Sequence, residues 1–346
     1  MSGVASRLRE FASNGPVIFF IALTYALTWA FWIPAHVFEL GPQGLKLALT
    51  VSGGFGPAVA GLVLVNLQET ARESGPRRWS GFLVGVALAV FGISLFRIMD
   101  GFGVDALAFP EDSPSYVYAV MALPVLLCGW VFSSIQSRNP RLRALLGSLV
   151  PDRRALMLAV PVVLFLPAIF LGSNLLADLL GMEYKAPMYT TMSMSAAMAF
   201  MFAKLFTAAL LTGGNEEYGW RGVLLPTLQK AANPLVASLV LGVVWELWHL
   251  PLTVGGVYGD GNPAVITLLR MTAIIPLALV LTALYNSTRG SIFLCVLLHG
   301  CYNSQTYLFF GSEIASILAP VLVIAILVYM RFWRADRVYD PFAKKG

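Results

Sequence analysis

The chain has 346 residues, of which 58% are hydrophobic and only 12% charged, and its mean hydropathy is +0.76. Soluble domains carry about 25% charged residues, so this composition excludes two soluble domains, a secreted disulfide scaffold, a disordered chain and a nucleic-acid binder. A polytopic membrane protein remains, and its formal net charge of +5 reports topology first, because surplus Lys and Arg sit in cytoplasmic loops.

Arg7 and Arg9 precede an apolar run from Val17 to Phe38. That run is too long for the core of a signal peptide and lacks a small-x-small cleavage site, so it reads as an uncleaved first span. A hydrocarbon core of about 30 Å needs roughly 20 apolar residues per helix. About ten segments qualify, near 16–38, 47–67, 80–98, 115–136, 155–180, 193–212, 234–254, 264–287, 291–310 and 314–333. They are too long, and too poor in period-two alternation, for barrel strands. The expectation is an all-α, polytopic transmembrane helical bundle with a membrane-embedded polar cavity.

The connections alternate in charge. Arg72, Arg77, Arg78, Arg138, Arg141, Arg143, Arg153, Arg154, Arg221, Lys230, Arg289, Arg334, Arg337, Lys344 and Lys345 fall on one side. The other side is poor in Lys and Arg, with Lys185 a rare exception, and 99–114 is acidic, with Asp100, Asp105, Glu111 and Asp112. Both termini are therefore expected on the cytoplasmic side. Three parts are expected within one membrane unit: N-terminal spans over 1–190, a core over 191–312 carrying the polar motifs, and a last span with a basic tail over 313–346. Cys128, Cys295 and Cys301 lie in apolar stretches without CxxC spacing and read as small core hydrophobes.

Ionisable groups at membrane depth are costly and mark function. The set singled out is His36, Glu39, Arg97, Glu216, Glu217, Arg221, Glu246, His249, Arg270 and His299. His36, Glu39, Arg97 and Arg270 lie near span ends and read as snorkelling or interfacial anchors. The other six fall in three short stretches. In Asn215-Glu216-Glu217-Tyr218-Gly219-Trp220-Arg221, Glu217 and Arg221 are spaced as a same-face ion pair, which leaves Glu216 on another face. A carboxylate in an apolar pocket suits a general base, although the cluster read alone could simply end a span. In Trp245-Glu246-Leu247-Trp248-His249, Trp245 and His249 share a helical face. His299 and Asn303 share another, where they could equally act as interhelical polar glue. One shared cavity explains the three stretches more economically than three separate accidents.

In order, these motifs resemble the CAAX-protease and bacteriocin-processing family, the Rce1-like or Abi intramembrane proteases. Glu216-Glu217 with Arg221 matches its EExxxR motif, His249 its second motif, and His299 with Asn303 its HxxxN motif. Trp245 stands where the family usually has Phe, and Phe55-Gly56-Pro57-Ala58 resembles a Gly-Pro feature of the N-terminal half. The resemblance implies an intramembrane endopeptidase. Glu216 would activate water with help from His249, His299 and Asn303 would stabilise the oxyanion, and Glu217, Arg221 and Trp245 would support the site.

The residues agree with that chemistry. Amide hydrolysis needs a base, oxyanion donors and a donor for the leaving amine, and no Gly-x-Ser-x-Gly or His-Glu-x-x-His occurs. No cofactor and no metal are expected, although Glu216, His249 and His299 are ligand types that could hold zinc. Two other readings stand beside it: a non-proteolytic immunity or scaffold protein of the same fold, and a proton-coupled transporter. The expected partners are the bilayer and a hydrophobic, leader-bearing or lipidated peptide, not nucleic acid, with the site facing the cytoplasm of a bacterial cell. Depth raises a conflict. His299 lies about 12 Å into its span by helical rise while Glu216 lies near a span end, so either 222–235 runs partly along the interface, which is the expectation, or Glu216 sits deeper than the span boundary implies.

Overall fold

The computed structural model describes residues 2–68, 79–100, 115–134, 136–137, 139–334 and 338–339, and among them no strand occurs. The helices are α1 (Ser2–Asn14), α2 (Pro16–Trp32), α3 (Gln43–Gly54), α4 (Gly56–Gln68), α5 (Trp79–Asp100), α6 (Ser115–Ser134), α7 (Pro140–Gly147) and α8 (Arg153–Leu179). They continue with α9 (Met194–Leu210), α10 (Glu217–Gly219), α11 (Leu225–Gln229), α12 (Pro234–Trp248), α13 (Leu250–Val254), α14 (Pro263–Ser287), α15 (Ile292–Phe309) and α16 (Ile314–Tyr329). Arg72, Arg77, Arg78, Asp105, Glu111, Asp112, Arg138, Arg337, Lys344 and Lys345 lie outside the described residues, as do the side chains of Arg97 and Asp100.

Every expected span overlaps at least one helix. Among the described residues seven helical runs are long and apolar enough to cross a membrane, and α12 and α16 are shorter apolar helices. The helices present large apolar side chains outward, among them Leu164, Leu175, Leu268, Leu269 and Ile317, each more than half exposed. Water would penalise such faces and lipid does not, so this is an integral membrane protein.

The helices around the polar motifs start at well-defined caps. Ser193, Asn233, Asn262 and Ser291 each accept a hydrogen bond from a first-turn amide of α9, α12, α14 and α15 respectively. Pro234 and Pro263 follow their Asn caps at N1, where a missing N–H costs nothing. α9 packs between α5 and α15, α12 packs on α14, and α4 packs on α10.

The helical run does not end at Thr212. A turn through Gly213 leads into a single 3-10 turn (Gly214–Glu216), α10, a π-helical turn (Trp220–Leu224) and α11. All residues from Gly213 to Pro226 are buried. The expected interfacial course of 222–235 is therefore wrong in its first part: the chain re-enters as further buried turns, and Glu216 lies inside a broken span. Gly213 has φ +153°, a conformation open to glycine, and this bend lets the span break without leaving the core.

Arg270 also departs from expectation. It is no snorkelling anchor: its guanidinium is bidentate on the buried Glu246, Nε to Oε1 at 2.8 Å and Nη2 to Oε2 at 3.1 Å, and stacks 3.4 Å from the ring centre of Tyr258. Glu39, by contrast, is exposed and reaches Lys46 at 3.9 Å. His36 contacts the Thr50 hydroxyl at 2.6 Å. The three cysteines are buried and unpaired.

Candidate active site

Glu216 and Glu217 are neighbours in sequence with separate partners. Glu216 Oε2 accepts from the indole N–H of Trp245 at 2.8 Å and from that of Trp220 at 3.3 Å. Glu217 Oε1 accepts from Arg221 Nη1 at 2.9 Å and from His299 Nδ1 at 2.7 Å. The i,i+4 ion pair is present, and both of its side chains are wholly buried. Burying two charges requires such pairing, and His299 enters as a third member that the spacing alone did not indicate.

Trp245 connects these groups. Besides its bond to Glu216, its ring lies edge-on to His299, centroids 5.1 Å apart, and beneath the Arg221 guanidinium at 4.7 Å. Its carbonyl accepts from His249 Nδ1 at 2.8 Å, one turn along α12. A carbonyl can only accept, so Nδ1 carries a proton and Nε2 is the nitrogen left for other work. Trp245 adds to its ring an N–H directed at a carboxylate. A phenyl ring could pack here but could not make that bond.

His299 and Asn303 sit one turn apart on α15. Asn303 Nδ2 donates to the Thr212 carbonyl at 2.8 Å, and a Cβ placed on Gly213 would collide with that nitrogen and crowd His299 Nε2. Both polar tips therefore close on the same backbone bend. The Gly-Pro feature buttresses the other side, where Asn215 Nδ2 donates to Gly54 O at 3.1 Å. The Pro57 carbonyl meets Gly219 so closely that any side chain there would clash.

Glu216, Trp245, His249, His299 and Asn303 line one cavity of about 230 Å³, with Lys204, Tyr258, Arg270, Tyr302 and Tyr307 on its other walls. Glu217 and Arg221 are held behind the wall. Among the described residues no group of three or more His, Cys, Asp or Glu side chains converges as a metal site. Glu216 and His299 each already spend one atom on a protein partner.

Sequence reasoning missed several residues of this wall. Lys204, in the middle of α9, satisfied the criterion of charge at membrane depth and was detectable by it. Tyr258, Tyr302 and Tyr307 had no such signal, because tyrosines are ordinary near membrane surfaces. Trp220 could have been found as the residue four after Glu216.

Residues 197–305, the segment that carries all three motifs, match the family described as type II CAAX prenyl endopeptidase Rce1-like. A curated relative, the CAAX prenyl protease 2 of Methanococcus maripaludis, is 28% identical over 239 residues. The alignment covers 64% of this chain and 86% of that protein. The resemblance read from the motifs is thus met by both comparisons.

Proposed function

We propose that this chain, whose motif-bearing segment belongs to the Rce1-like family of type II CAAX prenyl endopeptidases, is an intramembrane endopeptidase that hydrolyses a peptide bond with a glutamate-activated water. One observation carries the proposal: three separate pieces of chain place Glu216, His249, His299 and Asn303 on the wall of a single cavity. A scaffold has no need to gather a carboxylate, two imidazoles and an amide around open space.

In this reading Glu216 takes a proton from water, and His249 Nε2 holds that water for attack on the scissile carbonyl. The oxyanion develops beside the amide of Asn303 and Nε2 of His299. Donation from His299 Nε2 requires protons on both ring nitrogens, and Glu217 supplies the counter-charge at Nδ1. Glu216 then passes its proton to the leaving amine, which returns the site to its starting state. Glu217, Arg221 and Trp245 are positioning residues: they hold His299 and Glu216 and do not touch the peptide.

The substrate is proposed to be a lipidated or otherwise hydrophobic peptide. The similarity to the CAAX prenyl protease 2 of Methanococcus maripaludis supports this, as does a second, apolar pocket of about 160 Å³. Its walls include Phe165, Ile169, Pro276 and Leu298, and it shares Leu277 and Tyr302 with the catalytic cavity. A chain bound across both would place its lipid and its peptide in adjoining chambers. The site is proposed to open toward the cytoplasm of a bacterial cell, with the basic connections on that side.

The test is cleavage of a quenched fluorescent, prenylated CAAX peptide by the reconstituted protein. Glu216→Gln keeps an acceptor for both indoles but cannot take the proton, so kcat should fall about 10²–10⁴-fold. Failure of the wild-type protein to cleave prenylated and unprenylated peptides alike would favour the immunity or scaffold reading.

A further inference from the structure

The charges around the cavity do not all balance. Arg270 is matched by Glu246, and Arg221 by Glu217. Lys204 has no such match. It is 3% exposed, and no carboxylate lies within ion-pair distance among the described residues. Its ammonium sits 4.4 Å over the ring of Tyr307, and both residues line the catalytic cavity. An aromatic face offsets part of the cost of a buried cation but leaves its N–H donors unused. A buried, hydrogen-bond-rich cation facing open space is complementary to an anion that arrives from elsewhere.

Position narrows the anion. Tyr307 lies four residues after Asn303 and eight after His299 on α15, so it is about 6 and 12 Å along the helix axis from the proposed oxyanion site. An extended peptide covers roughly 3.3–3.6 Å per residue. A group held at Lys204 would therefore belong to a residue about two to four positions from the scissile bond. Three other polar groups of the wall are already engaged: Glu216 by two indoles, Arg270 by Glu246 and Asn303 by Thr212.

We propose that Lys204, backed by Tyr307, is the substrate-carboxylate site of the cavity and fixes how far from an anionic group the peptide is cut. The proposal rests on the endopeptidase reading for the role of the cavity, but not for the binding it asserts. The carboxylate comes either from the chain terminus or from an acidic side chain near it.

The experiment separates these. Prenylated CAAX peptides with a free C-terminal acid, with a C-terminal amide, and with an amide but Asp as the last residue are titrated against reconstituted Glu216→Gln protein by fluorescence anisotropy. The acid should bind about 10- to 100-fold more tightly than the amide, the range of a charge-assisted contact. Adding Lys204→Met should bring that ratio close to one, whereas Lys204→Arg should keep most of it. Tight binding of the Asp-ending amide assigns the site to a side-chain carboxylate; weak binding assigns it to the chain terminus. Equal binding of all three peptides, no binding of any, or a preference for the carboxylate-bearing peptides that Lys204→Met leaves unchanged overturns the proposal. Should Lys204→Met not fold, the acid-to-amide ratio and the arginine variant still decide. Acid-selective binding with no cleavage by the wild-type protein would sink the endopeptidase reading and leave this one standing.

Discussion

Glu217 Oε1 and His299 Nδ1 are 2.7 Å apart although 82 residues separate them in sequence, and the same oxygen holds Arg221. This triad ties the broken span after α9 to α15. It orients the imidazole so that Nε2 faces Asn303 and the Gly213 bend. Glu217→Gln should leave a folded protein whose kcat is about 10- to 100-fold lower, as for loss of an outer-shell partner. Arg221 would then be an uncompensated buried cation, and thermal unfolding should show a loss of about 3–5 kcal/mol. Glu217→Gln/Arg221→Met should recover part of that stability without recovering activity.

Trp245→Phe separates packing from hydrogen bonding. The phenyl ring keeps the contacts with His299 and Arg221 but removes the 2.8 Å donor to Glu216. A hydrogen bond to a charged group contributes about 1.5–3 kcal/mol, so kcat should fall roughly 10- to 100-fold while expression and unfolding change little. Unchanged kcat would mean that Trp220 alone suffices to orient Glu216.

Gly213→Ala tests the bend. The added methyl meets Asn303 Nδ2 and His299 Nε2, and φ +153° is unfavourable for any L side chain. Strain of about 1–3 kcal/mol is expected, together with a drop in kcat larger than the rise in KM, because the displaced groups are the proposed oxyanion donors. Wild-type turnover in this variant would place the oxyanion site elsewhere.

Arg270 and Glu246 should behave as a coupled pair. Removing either alone leaves a buried charge, so Arg270→Met and Glu246→Gln should each destabilise, with the arginine change costing about 3–5 kcal/mol because Glu246 is fully buried. The double variant Arg270→Met/Glu246→Leu should lie closer to wild type than the sum of the singles. Additive losses in that cycle would show that the bidentate contact contributes little.

Metal dependence is a further check on the glutamate-water mechanism. Activity of the reconstituted protein should survive prolonged treatment with 1,10-phenanthroline. Loss of activity that zinc restores would replace Glu216 as base with a metal-bound water.

Much of this protein could be read from one dimension. An 18- to 25-residue apolar run can satisfy its backbone in lipid only as a helix, so composition alone determined the fold class and the approximate spans. The i,i+4 rule likewise placed Glu217 with Arg221 and Trp245 with His249, because helical geometry is local. Span boundaries set by charge failed at Glu216 for the converse reason. A carboxylate normally ends a span, and only packing against Trp245, Trp220 and the Gly54–Pro57 turn makes it tolerable inside one.

What tertiary structure decided was partnership. No local rule indicates that Glu217 shares its oxygen with His299, that Arg270 serves Glu246 and not the interface, or that Lys204 faces the same cavity as Glu216. Those pairings join α9, α10, α12, α14 and α15 across long separations in sequence. Buried charges take whichever counter-groups the packed helices bring within about 3 Å, and that is fixed by the bundle as a whole.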